Sequence, residues 1–137
     1  MIPTMKKKST FFALFLGLMS TSIHADWIEV ARHADQSYVA YLDPASKKAT
    51  PNGYTVWKMR DYLAPQRDEG IPYQYLSDKA LSEYDCAHHK VRELTLQDYA
   101  GHRAAGSPLN ASQSEGSWQR IIPGSIGEAT FLFVCQG

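Results

Sequence analysis

Two cysteines, Cys86 and Cys135, are the only ones in the 137 residues, and whether they are joined decides what the chain can fold into. Joined, they pin the C-terminal segment to the middle of the chain; free, they belong to metal or redox chemistry. The compartment settles which, and the N-terminus speaks to the compartment. In the opening stretch MIPTMKKKSTFFALFLGLMSTSIHADW, Lys6, Lys7 and Lys8 precede an apolar run from Phe11 to Met19 and a small polar stretch ending at Ala25. This is the pattern of a secretory signal peptide. The apolar run is about half of the ~20 residues that span a bilayer, so residues 1–25 are expected to be a cleaved leader, with Met5 as an alternative start. Residues 26–137 are then expected to form one domain with no membrane span. No cysteine lies near the cleavage point, so a lipid-attachment cysteine is not expected. The mature protein is expected in the periplasm, at the cell surface or outside the cell.

In an oxidising compartment an even number of cysteines usually pairs. Closing a loop of about 50 residues stabilises a fold by about 4 kcal/mol on the loop-entropy model, a large share of a small domain's stability. The competing reading comes from the stretch SEYDCAHHKVREL, Ser82 to Leu94, where Asp85, Cys86, His88 and His89 crowd together. A zinc site there needs three or four converging ligands and a free Cys86. Adjacent histidines on a strand point to opposite faces, so the disulfide is the preferred reading. His88 and His89 then form the exposed tip of a hairpin, where they are the candidates for a haem or metal alternative.

The rest of the mature chain reads mainly as antiparallel strands. Trp27 to Leu42 holds two β-rich runs around His33-Ala34-Asp35, a hairpin signature, and Asp43-Pro44 is expected to end the second. In Tyr54 to Leu63, Thr55, Trp57, Met59 and Leu63 alternate with Lys58 and Arg60, predicting a strand buried on the first set. A charged loop follows from Pro65 to Pro72. Strand text resumes from Tyr73 to Cys86 and again from Lys90 to Tyr99, where Val91 is out of phase with Leu94 and Leu96 and predicts a bulge or a shifted start. Gly101 to Gly116 reads as a long exposed loop, and Trp118 to Ile122 as a last short strand. Ser125 and Glu128 have capping-box spacing, predicting a helix from Ile126 with Phe131, Leu132 and Cys135 on one face; a strand over Thr130 to Cys135 is the competing reading. The fold class expected is α+β: about six antiparallel strands in meander order with a C-terminal helix packed on them and one disulfide.

Composition narrows the function. Three of the 14 basic residues lie in the leader, leaving 11 against 14 acidic residues, so nucleic acid is not an expected partner. Gly124-Ser125-Ile126-Gly127 lacks the spacing of a nucleophile turn and no carboxylate pair stands out as acid and base, so an enzyme is not expected. Lys79, Lys90, Arg92 and Arg103, with His88, His89 and His102, are expected to gather around one end of the domain as a basic patch that steers acidic partners. Tyr38, Tyr41, Tyr54, Tyr62, Tyr73 and Tyr75 are expected on half-buried sheet faces.

In order along the chain, Tyr41-Leu42-Asp43, Val56-Trp57-Lys58-Met59 with Asp61-Tyr62, Glu83-Tyr84-Asp85-Cys86 with Arg92, and Trp118 through Pro123-Gly124-Ser125 to Cys135 resemble the bacterial surface-adhesin protein E family. The resemblance implies a small antiparallel sheet carrying a disulfide-tied C-terminal helix, often as a homodimer, without catalytic activity and with a part in virulence. It implies extracellular-matrix or serum proteins such as vitronectin or laminin as partners, with haem as a possible ligand.

Overall fold

The computed structural model describes residues 3–4, 25–35, 37–113 and 115–136. Apart from Pro3, Thr4 and Ala25, the expected leader lies outside the described residues. Five long strands follow in chain order: β1 (Ile28–Arg32), β2 (Tyr38–Ala49), β3 (Gly53–Gln66), β4 (Tyr75–Asp85) and β5 (Lys90–Tyr99). A 3-10 turn (His102–Ala104), the short strands β6 (Asn110–Gln113) and β7 (Gln119–Arg120), and the helix α1 (Ile126–Gln136) complete the chain. The sheet is antiparallel in the order β1-β2-β3-β4-β5-β6, with β7 also paired to β5. This is the expected meander with its C-terminal helix.

Each hairpin has a local cause. Between β1 and β2, the His33 amide donates to the Tyr38 carbonyl at 3.0 Å, while the Asp35 carboxylate accepts from the Ser37 amide and contacts the His33 ring. The Ser37 bonds, followed by the His33 contact, lower the Asp35 pKa to about 2. Asp43-Pro44 does not end β2. The strand runs on to Ala49 through a register shift between Asp43 and Lys48, because Ser46 replaces the ladder bonds lost there: its hydroxyl donates to the Asp43 carbonyl at 2.7 Å and accepts the Trp57 amide at 2.9 Å. At the next turn Thr50 and Gly53 exchange backbone bonds. A Cβ on Gly53 would stand 2.1 Å from the Tyr84 carbonyl oxygen, so the position requires glycine. Between β4 and β5 the register shifts at Leu81/Ser82 and passes over Leu94. This is the bulge that the phase of Val91 predicts, and it returns Val91 and Leu96 to one face.

The helix decides which face is the core. Leu42, Val56 and Tyr84 from the sheet meet Ile121, Phe131 and Val134, with Ile28, Val30, Tyr54, Val91 and Cys135 packed around them. The inward face of β3 is therefore the one carrying Val56, not the expected set of Thr55, Trp57, Met59 and Leu63, and Leu63 is 79% exposed. Lys58 and Arg60 lie on the helix side, where Lys58 meets Glu93 at 3.3 Å and Arg60 meets Asp78 at 2.7 Å. Carboxylate partners, Asp78 on the adjacent β4 and Glu93 on β5 beyond it, let these long side chains face inward, which alternation alone could not reveal. Burial pushes the Asp78 carboxyl up despite the Arg60 guanidinium beside it.

The helix begins as its cap predicts. The Glu128 amide donates to Ser125 Oγ at 3.1 Å, while the Glu128 carboxylate reaches the Gly124 amide at 3.2 Å, one residue before the cap. Its buried face is Thr130, Phe131 and Val134, with Cys135 partly covered; Leu132 points outward, correcting the expected phase. Cys135 is bonded to Cys86 with a Cα–Cα distance of 5.7 Å across 49 residues.

The expected Gly101–Gly116 loop is partly ordered into the sheet. Asn110 to Gln113 pair with Thr95 to Asp98, Gln119 and Arg120 pair with Val91 and Lys90, and between them the Gly116 amide donates to the Glu93 carbonyl at 2.8 Å. Exposed polar side chains carry no period-2 signal, and this edge is held through backbone bonds.

Replacing both Cys86 and Cys135 by Ala is expected to lower unfolding free energy by about 4 kcal/mol, measured by urea titration with wild type reduced and oxidised as references. Gly53→Ala is expected to cost about 1–3 kcal/mol in the same titration, with native secondary structure retained in the far-UV spectrum.

Candidate functional site

With α1 on one face, the other face of the sheet is built from alternate residues of the same strands. One cross-strand rung runs Glu29, Tyr41, Met59, Lys79, Gln97; the rungs beside it carry Trp57, Leu81 and Thr95, and Asp61, Ser77 and Tyr99. Met59 is 0% exposed although α1 lies on the other side. Long amphipathic side chains cover it from the flanking strands. The Lys79 ammonium stands 4.9 Å from the Trp57 ring centre and 5.7 Å from that of Tyr99, and the Arg103 guanidinium stands 4.7 Å from that of Tyr41. Such contacts are worth about 0.5–1 kcal/mol at exposed sites, a roughly two- to fivefold preference for the seated position.

Arg103 is placed by the 3-10 turn. Asp61 accepts the Arg103 amide and contacts His102 Nδ1, both at 3.0 Å. Ser77 Oγ donates to the Gly101 carbonyl at 2.6 Å and accepts the Ala104 amide at 2.9 Å. Arg103 and Ala104 both have φ of 55°, in the left-handed region that residues with a Cβ enter at a cost of roughly 1–2 kcal/mol each. Asp61 and Ser77 hold them there.

Further along the same face Arg92 lies 4.5 Å from the Trp118 ring centre and is bound by Glu83 at 2.6 Å and Glu115 at 3.6 Å. Burial pushes the Glu83 carboxyl up, but hydrogen bonds from Arg92, Thr50 and Asn52 outweigh it and leave the group below its ordinary value. Lys90 is exposed, paired across β4–β5 with Asp85 and across β5–β7 with Arg120.

The expected basic patch is thus drawn out. Lys79, Lys90, Arg92 and Arg103 share the helix-free side, but they do not gather at one end. Lys90 and Arg92 sit at the start of β5 and Arg103 beyond its finish, and ten extended residues span roughly 30 Å. His102 belongs with Arg103, bonded to Asp61. His88 and His89 do occupy the β4–β5 turn, each with its own partner: the His88 amide donates to the Asp85 carboxylate at 3.0 Å and its Nδ1 lies 2.9 Å from the same group, while the His89 ring lies 4.9 Å from that of Phe131. Among the described residues no three His, Cys, Asp or Glu side chains gather where they could hold a metal ion. A cavity of about 310 Å³ lies among Lys58, Val91, Arg92, Glu93, Gly116, Ser117 and Gln119, at the lower end of small-ligand volumes, and its cations are neutralised by Glu93 and Glu83.

Sequence reasoning placed Trp57 on a buried face and Tyr41 on a half-buried one, where it lies, and gave no site role to Asp61, Ser77, Tyr99 or Trp118. The usable signal was the alternation Trp57, Met59, Asp61 on β3, which marks a face. That the face is the outer one follows only from where the helix docks.

These features define a disulfide-tied meander sheet with one helix-covered face and one face of aromatic rings and seated cations. The model of the surface-adhesin protein E family matches residues 27–136, and the chain belongs to that family. No curated protein and no solved structure gives a significant match.

Glu83→Gln leaves Arg92 without its closest partner and is expected to cost about 2 kcal/mol at neutral pH, the worth of a hydrogen bond to a charged group. Because the folded pKa of Glu83 is depressed, its contribution is present above the ordinary value of 4.5 and is lost as pH falls through the folded value. The stability difference between variant and wild type in thermal melts is therefore expected to narrow on acidification below pH 4.5.

Proposed function

We propose that this chain is an exported, non-enzymatic binding protein of the adhesin type, which engages extracellular-matrix or serum proteins such as vitronectin or laminin through the helix-free face of its sheet. Membership of the surface-adhesin family supports the class. The observation that carries the surface is the half-buried set Tyr41, Trp57 and Trp118 with Arg103, Lys79 and Arg92 seated on it. Trp, Tyr and Arg dominate interface energetics because they bring large contact area together with directed polar groups. Rings and cations already in place lose little freedom when a partner covers them. No helix among the described residues is long and apolar enough to cross a membrane, in keeping with an exported protein.

Antibody labelling of intact cells against lysed cells, combined with surface binding of the purified protein to immobilised vitronectin and laminin, tests this reading. The expected outcome is signal on intact cells and binding that Trp57→Ala weakens at least tenfold, as for a hot-spot residue. A purely periplasmic location would overturn the adhesin role.

A further inference from the structure

Lys79 and Arg103 differ from the other cations on the outer face. Arg32 and Arg92 each have a carboxylate within ion-pair distance. Among the described residues Lys90 and Arg120 are exposed with no ring beneath them, but the Lys79 ammonium and the Arg103 guanidinium are seated on rings with no ion pair. Each is held instead by rings that supply position without neutralising charge: Trp57 and Tyr99 for Lys79, Tyr41 for Arg103. The backbone beneath Arg103 is also kept at positive φ by Asp61 and Ser77. Strain of this kind persists only where the surroundings enforce it, and it collects at binding sites. A turn serving only to close the chain would relax with glycine at that position.

We propose that Lys79 and Arg103 form a two-point anchor for an acidic segment of a protein partner, laid across the outer face with one carboxylate on each cation. The proposal rests on the binding role given to this face above and names the chemistry it reads. Tyr41 and Lys79 lie on one rung with Met59 between them, so their Cα atoms are two strand spacings apart, on the order of 10 Å. A segment in the polyproline II conformation advances ~3.1 Å per residue and returns every third side chain to the same side, so Asp or Glu residues three positions apart match that separation on one face. The apolar parts of the intervening side chains would meet Trp57, Tyr41 and Leu81. A sulfated polysaccharide fits less well, because a chain charged along its whole length would also run against Asp61, Glu83 and Asp43, which face the same side.

The test uses the full-length mature protein and two synthetic peptides with a fluorescent label, one carrying two Asp residues three positions apart and the other Asn in their place. In anisotropy titrations the Asp peptide is expected to bind at least tenfold more tightly than the Asn peptide, and more weakly as salt is raised. Lys79→Ala with Arg103→Ala is expected to remove this preference, and Arg67→Ala to leave it intact. Arg103→Gly separates anchoring from folding: it is expected to keep the melting temperature of wild type, because glycine relieves the positive φ, while losing at least fivefold in affinity for the Asp peptide. Equal binding of both peptides, a preference untouched by the double variant, or a heparin fragment bound more tightly than the Asp peptide would overturn the anchor. Vitronectin or laminin binding that survives the double variant unchanged would overturn it too, leaving the adhesin reading in place. Failure of wild type to bind either matrix protein, with the peptide preference intact, would instead count against the adhesin reading alone.

Discussion

The fold depends on one docking event: Phe131 and Val134 of the helix settle over Leu42, Val56 and Tyr84, and Cys135 bonds to Cys86 at the edge of the same cluster. A meander sheet has two chemically similar faces until something covers one of them. Here the Cys86–Cys135 bond comes off the end of β4, next to the tip of the β4–β5 hairpin, and it confines the helix to the side on which Tyr84 and Val91 point. Every other assignment of inside and outside follows. Lys58 and Arg60 turn inward with Glu93 and Asp78 as partners, and Trp57, Lys79 and Arg92 are left facing outward.

The helix-free face solves a problem that this arrangement creates. With no element laid over its centre, Met59 would be open to water, yet it is fully buried beneath the side chains around it. Seating Lys79 on Trp57 and Arg103 on Tyr41 gives the rings a polar cover and the cations an apolar footing. The surface can thus stay hydrated in isolation and still offer aromatic area to a partner, which suits a binding face better than a bare apolar patch prone to association.

Much of this was legible in the sequence where local chemistry decides structure. The span of β5 is the one bounded by the His88-His89 turn and Gly101, and its bulge was written in the phase of Val91. The cap at Ser125 marked the helix start. What could not be read depended on partners distant in the chain. The continuation of β2 past Pro44 rests on Ser46 taking over for the missing bonds with Trp57. The pairing of Asn110 to Gln113 with β5 rests on backbone groups that every residue has. The basic patch looked compact because Lys79 to Arg103 is a short stretch of text, whereas an extended strand carries its two ends far apart. The orientation of β3 was ambiguous because both of its faces carry large side chains, and only the helix breaks the tie.

The separation between the two half-cystines also orders events in time. Strands β1 to β5 join neighbours along the chain through short turns, and such local contacts form early. The segment that closes the core follows all of them in a chain made from its N-terminus onward. Until it emerges, Leu42, Val56 and Tyr84 have no lid and Cys86 remains a lone thiol beside them. During that interval the half-finished sheet is vulnerable to pairing with the wrong thiol or the wrong apolar surface, and oxidation acts as the latch that marks its end. The covalent tie between β4 and the last helix can form only after Cys135 has been made.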